Sequence, residues 1–180
     1  MTLYEAFAGL TDPRRPEGRR IQLEQLLALV IIANLCGHHG YRPVARFCQS
    51  HQELLKQQFK LKHGIPSYVT FRTVLTQLDE QTLIEGFNTW ADTLGSLSAG
   101  DWLSGDGKAL ASTLTHMQDE KQDFQLMVSL WSHQTGLVHR LASYANASGD
   151  ERVAVRRLLG HFQDKGLLVR LDAIHTQKND

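Results

Sequence analysis

Near Gly100 the spacing of apolar residues changes from the 3.6-residue period of helices to short runs bounded by turn residues. One chain built by two local rules points to an α+β protein: an all-helical domain over 1–97, then an α/β domain over 98–180. With 180 residues, 42% of them hydrophobic, there is material for one good-sized core or two small ones, which excludes a disordered chain. Lys plus Arg and Asp plus Glu both number 19, so nucleic acid, if bound, is bound by a local patch rather than by global charge.

In the first region Leu23, Leu26, Leu27, Val30, Ile31 and Asn34 recur at helical spacing and the pattern stops at Gly37, which predicts a central buried helix. A short amphipathic stretch, Leu3 to Leu10, precedes it, and the Pro- and Arg-rich segment 12–20 between them reads as a loop. Tyr41-Arg42-Pro43 opens a second helix to about Gln49, since proline suits a first helical turn. Ser50 with Glu53 has capping-box spacing, predicting a third helix that turns Leu54, Leu55 and Phe59 inward. After the basic turn 60–67, Ser67 caps a helix bearing Phe71, Val74, Leu75 and Leu78. Asp79 starts another that buries Leu83, Phe87, Trp90 and Leu94.

The second region reads as a short strand, Asp101 to Asp106, a polar stretch, then a hairpin of 124–131 and 137–144 around Thr135-Gly136. A helix follows, with Asp150 as cap, Val153, Leu158, Leu159 and Phe162 on one face and Gly166 beyond its end. Leu167 to Asp172 is a last strand. Because a strand that returns through a helix pairs parallel with an earlier one, Asp101–Asp106 and Leu167–Asp172 are the expected parallel pair. Both end in an aspartate, and ligands of open α/β sheets bind beyond the carboxyl ends of strands. Two carboxylates held together repel, and a hard divalent cation removes that penalty, so Asp106 and Asp172 are candidate metal-holding catalytic acids for phosphodiester chemistry. The glycines around Asp106 are expected to admit a ligand to the backbone, and Lys108 sets a cation near a phosphate. By spacing alone, a turn-forming or capping role for these aspartates is the commoner alternative.

The stretches LTDPRR, GIPSYVTFRTVLTQLD, DGKAL and LDAIHTQ, in this order and spacing, resemble the H-repeat-associated DDE transposases of bacterial insertion sequences across essentially the whole chain. The resemblance implies a helical associated domain followed by a ribonuclease H-like domain with a three-stranded start, a crossover helix and a fourth strand. It implies DNA cleavage and strand transfer during transposition, with Mg2+ or Mn2+ as cofactor. Asp106 matches the first catalytic acid and Asp172 the second; Lys108 and Gln177 also match. The family's third acid, a glutamate on a later helix, has no counterpart before Asp180, and Ala111 stands where an arginine is usual. An interrupted, truncated transposase that is inactive alone is the resulting expectation, with a non-enzymatic protein that competes or pairs with an intact transposase as the alternative.

Several further expectations concern partners and place. Arg14, Arg15, Arg19 and Arg20 are candidate phosphate contacts, and Lys56, Lys60, Lys62 and His63 form a second basic stretch; solvated surface is the competing reading of both. The helix after Ser67 is a candidate recognition helix, with Tyr68, Arg72 and Gln77 outward. The partners expected are double-stranded DNA at element ends and, through an open sheet edge, a second copy or a full-length transposase. The longest apolar run, Leu26–Leu35, is half the roughly 20 residues of a membrane span. Cys36 and Cys48 lie inside helical patterns and no secretory leader is evident, so free thiols in a cytoplasmic protein are expected. The nine histidines are expected at surfaces or helix ends, and Trp90, Trp102 and Trp131 in cores.

Overall fold

The computed structural model describes residues 1–115, 123–145 and 151–171. The chain is α+β, with helices first and a mixed sheet after them. Its residues group into two compact units, Met1–Gly86 and Phe87–Asp180.

In the first unit α1 spans Leu3–Phe7, closed by a capping box in which Thr2 Oγ1 accepts from Glu5 N and Thr2 N donates to Glu5 Oε2. Helix α2, Leu23–Leu35, is apolar nearly all round and buries Leu23, Leu26, Leu27, Leu29 and Ala33. It is the centre of a core completed by Val44 and Cys48 of α3 (Tyr41–Ser50), Leu55 of α4 (Gln52–Phe59), and Phe71 and Val74 of α5 (Tyr68–Gln77). Cys36 is exposed, Cys48 is buried, and both are free; burial pushes the Cys48 thiol up to about 11.

One junction departs from the sequence pattern. Ser50 does not cap α4: it is the last residue of α3, whose hydrogen bonds run on past it, His51 N donating to Phe47 O. The bend falls at His51, with no side-chain cap. That sets the inward stripe of α4 on Leu55 and leaves Leu54 65% exposed, with Phe59 half-buried. The cap expected for α5 is present, with Ser67 Oγ accepting from Thr70 N at 3.3 Å. Helix α6, Glu80–Ala91, opens with Asp79 Oδ2 accepting from Thr82 N at 2.7 Å. It buries Ile84 and Ala91; Leu83, Phe87 and Trp90 are half-buried. The division between units falls inside this helix, because Asn88 belongs to the sheet: its amide donates to Leu141 O and accepts from Leu141 N.

The sheet has the order β3-β2-β1-β4, from β1 (Trp102–Thr115), β2 (Asp123–Ser132), β3 (Val138–Ala145) and β4 (Leu168–Arg170). β1 and β4 are parallel, Trp102 beside Leu168 and Ser104 beside Arg170, and the other pairs are antiparallel. β1 does not stop at Asp106. Its ladder with β2 continues from Leu103 to Leu110, so residues read from the sequence as a polar stretch after the strand are part of it. Helix α7, Glu151–Gly160, lays Ala154, Val155 and Leu158, with Phe162 beyond its end, over Leu103, Val128 and Leu130. Val153, expected on that face, is 59% exposed, one position off the inward stripe. At the hairpin Gly136 adopts φ +68°, and His139, expected at the surface, is buried with Nε2 at 2.9 Å from Thr135 Oγ1. Burial lowers the His139 pKa; the Asp92 and Asp101 charges oppose this and those of Lys165 and Arg140 add to it.

Candidate nucleic-acid interface and carboxylate strand

Two arginines fasten the loop between α1 and α2. Arg14 donates to both oxygens of Asp12 and, through Nη2, to Ile21 O at 2.7 Å, which fastens the chain just before α2. Arg14 is nearly buried, with 7% of its side chain exposed, so its charge is spent inside the loop. Burial pushes the Asp12 carboxyl up, but the hydrogen bonds from Arg14 and the charges of Arg14 and Arg19 bring it below the ordinary carboxylate range. Arg19 folds back to donate to Arg14 O and Asp12 O. Arg15 and Arg20 are exposed, and among the described residues neither meets a carboxylate.

The turn after α4 is placed against this loop. Gln25 of α2 donates to Phe59 O at 2.9 Å, and Lys60 then takes a left-handed conformation (φ 52°) that ends α4 and directs the chain toward Ser67. Arg19, Arg20, Lys60, Lys62 and His63 line one cleft together with Gln22 and Gln25, and no acidic residue lines it. Arg20 and His63 also border an adjoining hollow whose wall runs to Ser67 and Thr70 at the start of α5. Two basic stretches that are separate in the sequence thus form one surface.

A second groove lies between α3 and α5, lined by Arg42, Ala45, Arg46, Gln49 and Tyr68 among others, with Arg42 over the Tyr68 ring at 5.2 Å. Arg42, Arg46 and Gln49 were not singled out from the sequence, although their i, i+4 and i+7 spacing puts them on one face of α3. On α5 Tyr68, Arg72 and Gln77 are all exposed.

In the second unit Asp106 sits mid-strand on β1 opposite Ser129, exposed, on the sheet face away from α7. Among the described residues its carboxylate has no hydrogen-bond or ion-pair partner, so its oxygens are available to a hard cation in kind. Asp172 and Gln177 lie outside the described residues. No group of three or more His, Cys, Asp or Glu side chains suited to a metal occurs among the described residues. Lys108 is exposed on the Asp106 face, opposite Met127. The glycine before Asp106 serves the core rather than a ligand: a Cβ on Gly105 would lie 2.6 Å from Leu171 Cδ2 and 3.4 Å from Leu130 Cδ2. Trp102 and Trp131, expected in a core, are 50% and 37% exposed on the face of Asp106.

This pairing of a helical region with a carboxylate-bearing mixed sheet has relatives. Residues 4–91 match the family model described as DDE_Tnp_1-associated. The chain is 24% identical over 189 residues to "H repeat-associated putative transposase YhhI" of Escherichia coli (strain K12), covering 98% of this chain and 46% of that protein. A similarly named protein of that organism, YbfD, is 23% identical over 98% of this chain and 69% of its own length. "Uncharacterized protein in dhlA 3'region" of Xanthobacter autotrophicus is 28% identical over 96% of this chain and 58% of its own. Residues 4–91 thus carry a DDE_Tnp_1-associated region, and the chain is similar to H repeat-associated putative transposases along nearly all of its own length while spanning about half the length of the first of these relatives. Among the described residues no helix is long and apolar enough to cross a membrane.

Proposed function

We propose that the helical unit binds duplex DNA at the ends of an insertion element and that the chain serves DNA transposition. The observation that carries this reading is the meeting of Arg19 and Arg20 with Lys60, Lys62 and His63 in one cleft without an acidic neighbour, beside α5. Cations so gathered neutralise adjacent phosphates and release counterions, which gives a neutral chain a local hold on a polyanion. In this reading the cleft positions the backbone, and Tyr68, Arg72 and Gln77 of α5 face the bases. Domains of 1–97 for DNA binding and 98–180 for chemistry remain the working division, in a protein of the cytoplasm.

For cleavage and strand transfer, Asp106 and Asp172 are the residues that would hold Mg2+ or Mn2+. The offset that pairs Trp102 with Leu168 and Ser104 with Arg170 also separates Asp106 from Asp172 in the sequence, which supports the assignment. Such an ion supplies activation of the attacking oxygen and stabilisation of the leaving one. Asp106 contributes an oxygen ligand from a rigid strand, and Lys108 draws the scissile phosphate to that face.

The test is a titration of element-end duplex at increasing salt. Arg20→Ala and Lys62→Ala each weaken binding and lower the slope of log K against log salt by about one. Slopes equal to that of the unaltered protein in both variants would refute the cleft as the DNA site.

A further inference from the structure

We propose that the sheet face opposite α7 takes unpaired bases of a single DNA strand, stacked on Trp102 and Trp131. The inference rests on the reading of the chain as a DNA-acting protein and adds a second ligand form, at a surface separate from the basic cleft. Along β1 the side chains alternate. Leu103 and Gly105 face α7 with Val128 and Leu130, while Trp102, Ser104, Asp106 and Lys108 face away. From β2, Trp131 stands opposite Ser104 on that outer face, and both indoles are substantially exposed.

The patch is built rather than incidental. His133 packs edge-on against Trp131, with ring centroids 4.4 Å apart, and its Nε2 is 2.7 Å from Ser104 Oγ, while its backbone N donates to Trp102 O. One residue therefore ties together the strands that carry the two indoles. Trp102 and Trp131 are diagonal cross-strand neighbours, a relation that separates Cα atoms by roughly 7–8 Å. That is about twice the ~3.4 Å step between stacked bases, so neighbouring nucleotides reach both rings only when unstacked from each other. A duplex cannot supply them.

Charge favours the same occupant. Arg170, beside Ser104 on β4, and Lys108 lie on this face, exposed and without a carboxylate partner among the described residues. A protein closing over the face would bury Asp106, Lys108 and Arg170 together with Ser104 and Ser129, at the cost of desolvating charges. A single strand covers the rings and leaves the cations at its phosphates, the arrangement of stacking platforms generally. Asp106 opposes a phosphate here, so in metal-free buffer Asp106→Asn tightens binding.

The experiment titrates the full chain with a short oligothymidylate at low salt and follows intrinsic tryptophan fluorescence and oligonucleotide anisotropy. Quenching on binding is expected. Trp102→Ala and Trp131→Ala each weaken binding about tenfold, Trp131→Phe retains most of it, and Trp90→Phe leaves it unchanged. Circular dichroism of each variant confirms that the fold is kept. Unchanged oligothymidylate affinity in both alanine variants overturns the proposal. So does an exclusion-chromatography shift from dimer to monomer in Trp131→Ala with affinity unaltered, which would make the face a protein contact. If duplex binds and oligothymidylate does not, the stacking inference alone fails; if neither binds, the DNA reading fails with it.

Discussion

The two units present their charged and aromatic side chains by opposite routes. In the helical unit the surface is assembled from parts far apart in sequence, the loop before α2 and the turn after α4, held by Arg14 on Ile21 O and Gln25 on Phe59 O. In the sheet unit it comes from alternation along β1, where every second residue from Trp102 to Lys108 shares the face away from α7. A surface assembled by distant anchors is sensitive to those anchors. One written along a strand is sensitive to register and to the core beneath it.

The largest expected effects are in the two cores. Phe71→Ala, at a fully buried α5 position, is expected to cost about 3–5 kcal/mol by opening a cavity, lowering the melting temperature and removing duplex binding with it. Gly105→Val is its counterpart in the sheet unit. The added side chain meets Leu171 and Leu130, with an expected loss of about 1–3 kcal/mol seen in thermal melts, and duplex binding is kept. Loss of duplex binding in a folded Gly105→Val protein would break the separation of roles.

Acid pH separates the units by sign and range. His139 has a lowered folded pKa, so its contribution to stability is full above the unfolded value of about 6.5 and declines as pH falls below it. Asp12 is also depressed, but from about 3.9, so its contribution is full above that value and is lost only as pH falls through the lower folded value. Amide protection factors, which allow for the slower intrinsic exchange in acid, are expected to fall at the β2–β3 hairpin between pH 7 and 5 while those of the 12–22 loop hold. Loss of protection at both together would contradict the assignment.

A smaller effect sharpens the anchor idea. Arg14→Ala removes the guanidinium donors to Asp12 and Ile21 O while the backbone N of residue 14 still donates to Asp12, with an expected loss of about 1 kcal/mol, and loosens the loop carrying Arg19 and Arg20. Duplex binding then weakens although Arg14 itself is nearly buried. Of similar size is Ser67→Ala, which removes the α5 cap and is expected to cost about 1 kcal/mol in thermal stability.

What the sequence made legible follows the same contrast. The central helix α2, the Ser67 cap and the β2–β3 hairpin answer to neighbours within a few residues, and their patterns are local. The parallel pairing of β1 with β4 was readable because chain topology restricts how a strand returns through a helix. The α3–α4 junction was not: a capping-box spacing at Ser50 competes there with helical hydrogen bonds already running through it. Convergence of Arg20 with Lys62 has no local signal, since tertiary packing alone brings the two segments together. The role of Gly105 was misread for the same reason, because Leu171 lies far along the chain. The apolar character of Trp102 and Trp131 predicts a core position, yet strand alternation, once the inner face is fixed by Leu103 and Val128, places them outside. Arg42 and Arg46, by contrast, share a helix face that their spacing alone makes readable.

The central claim is that a neutral chain holds duplex DNA through one assembled cleft. The most direct measurement is the salt dependence of element-end duplex binding for the unaltered protein, Arg20→Ala, Lys62→Ala and the double variant. The account predicts that the slope falls by about one for each single variant and about two for the double, with the fold unchanged. Four coincident slopes would contradict it.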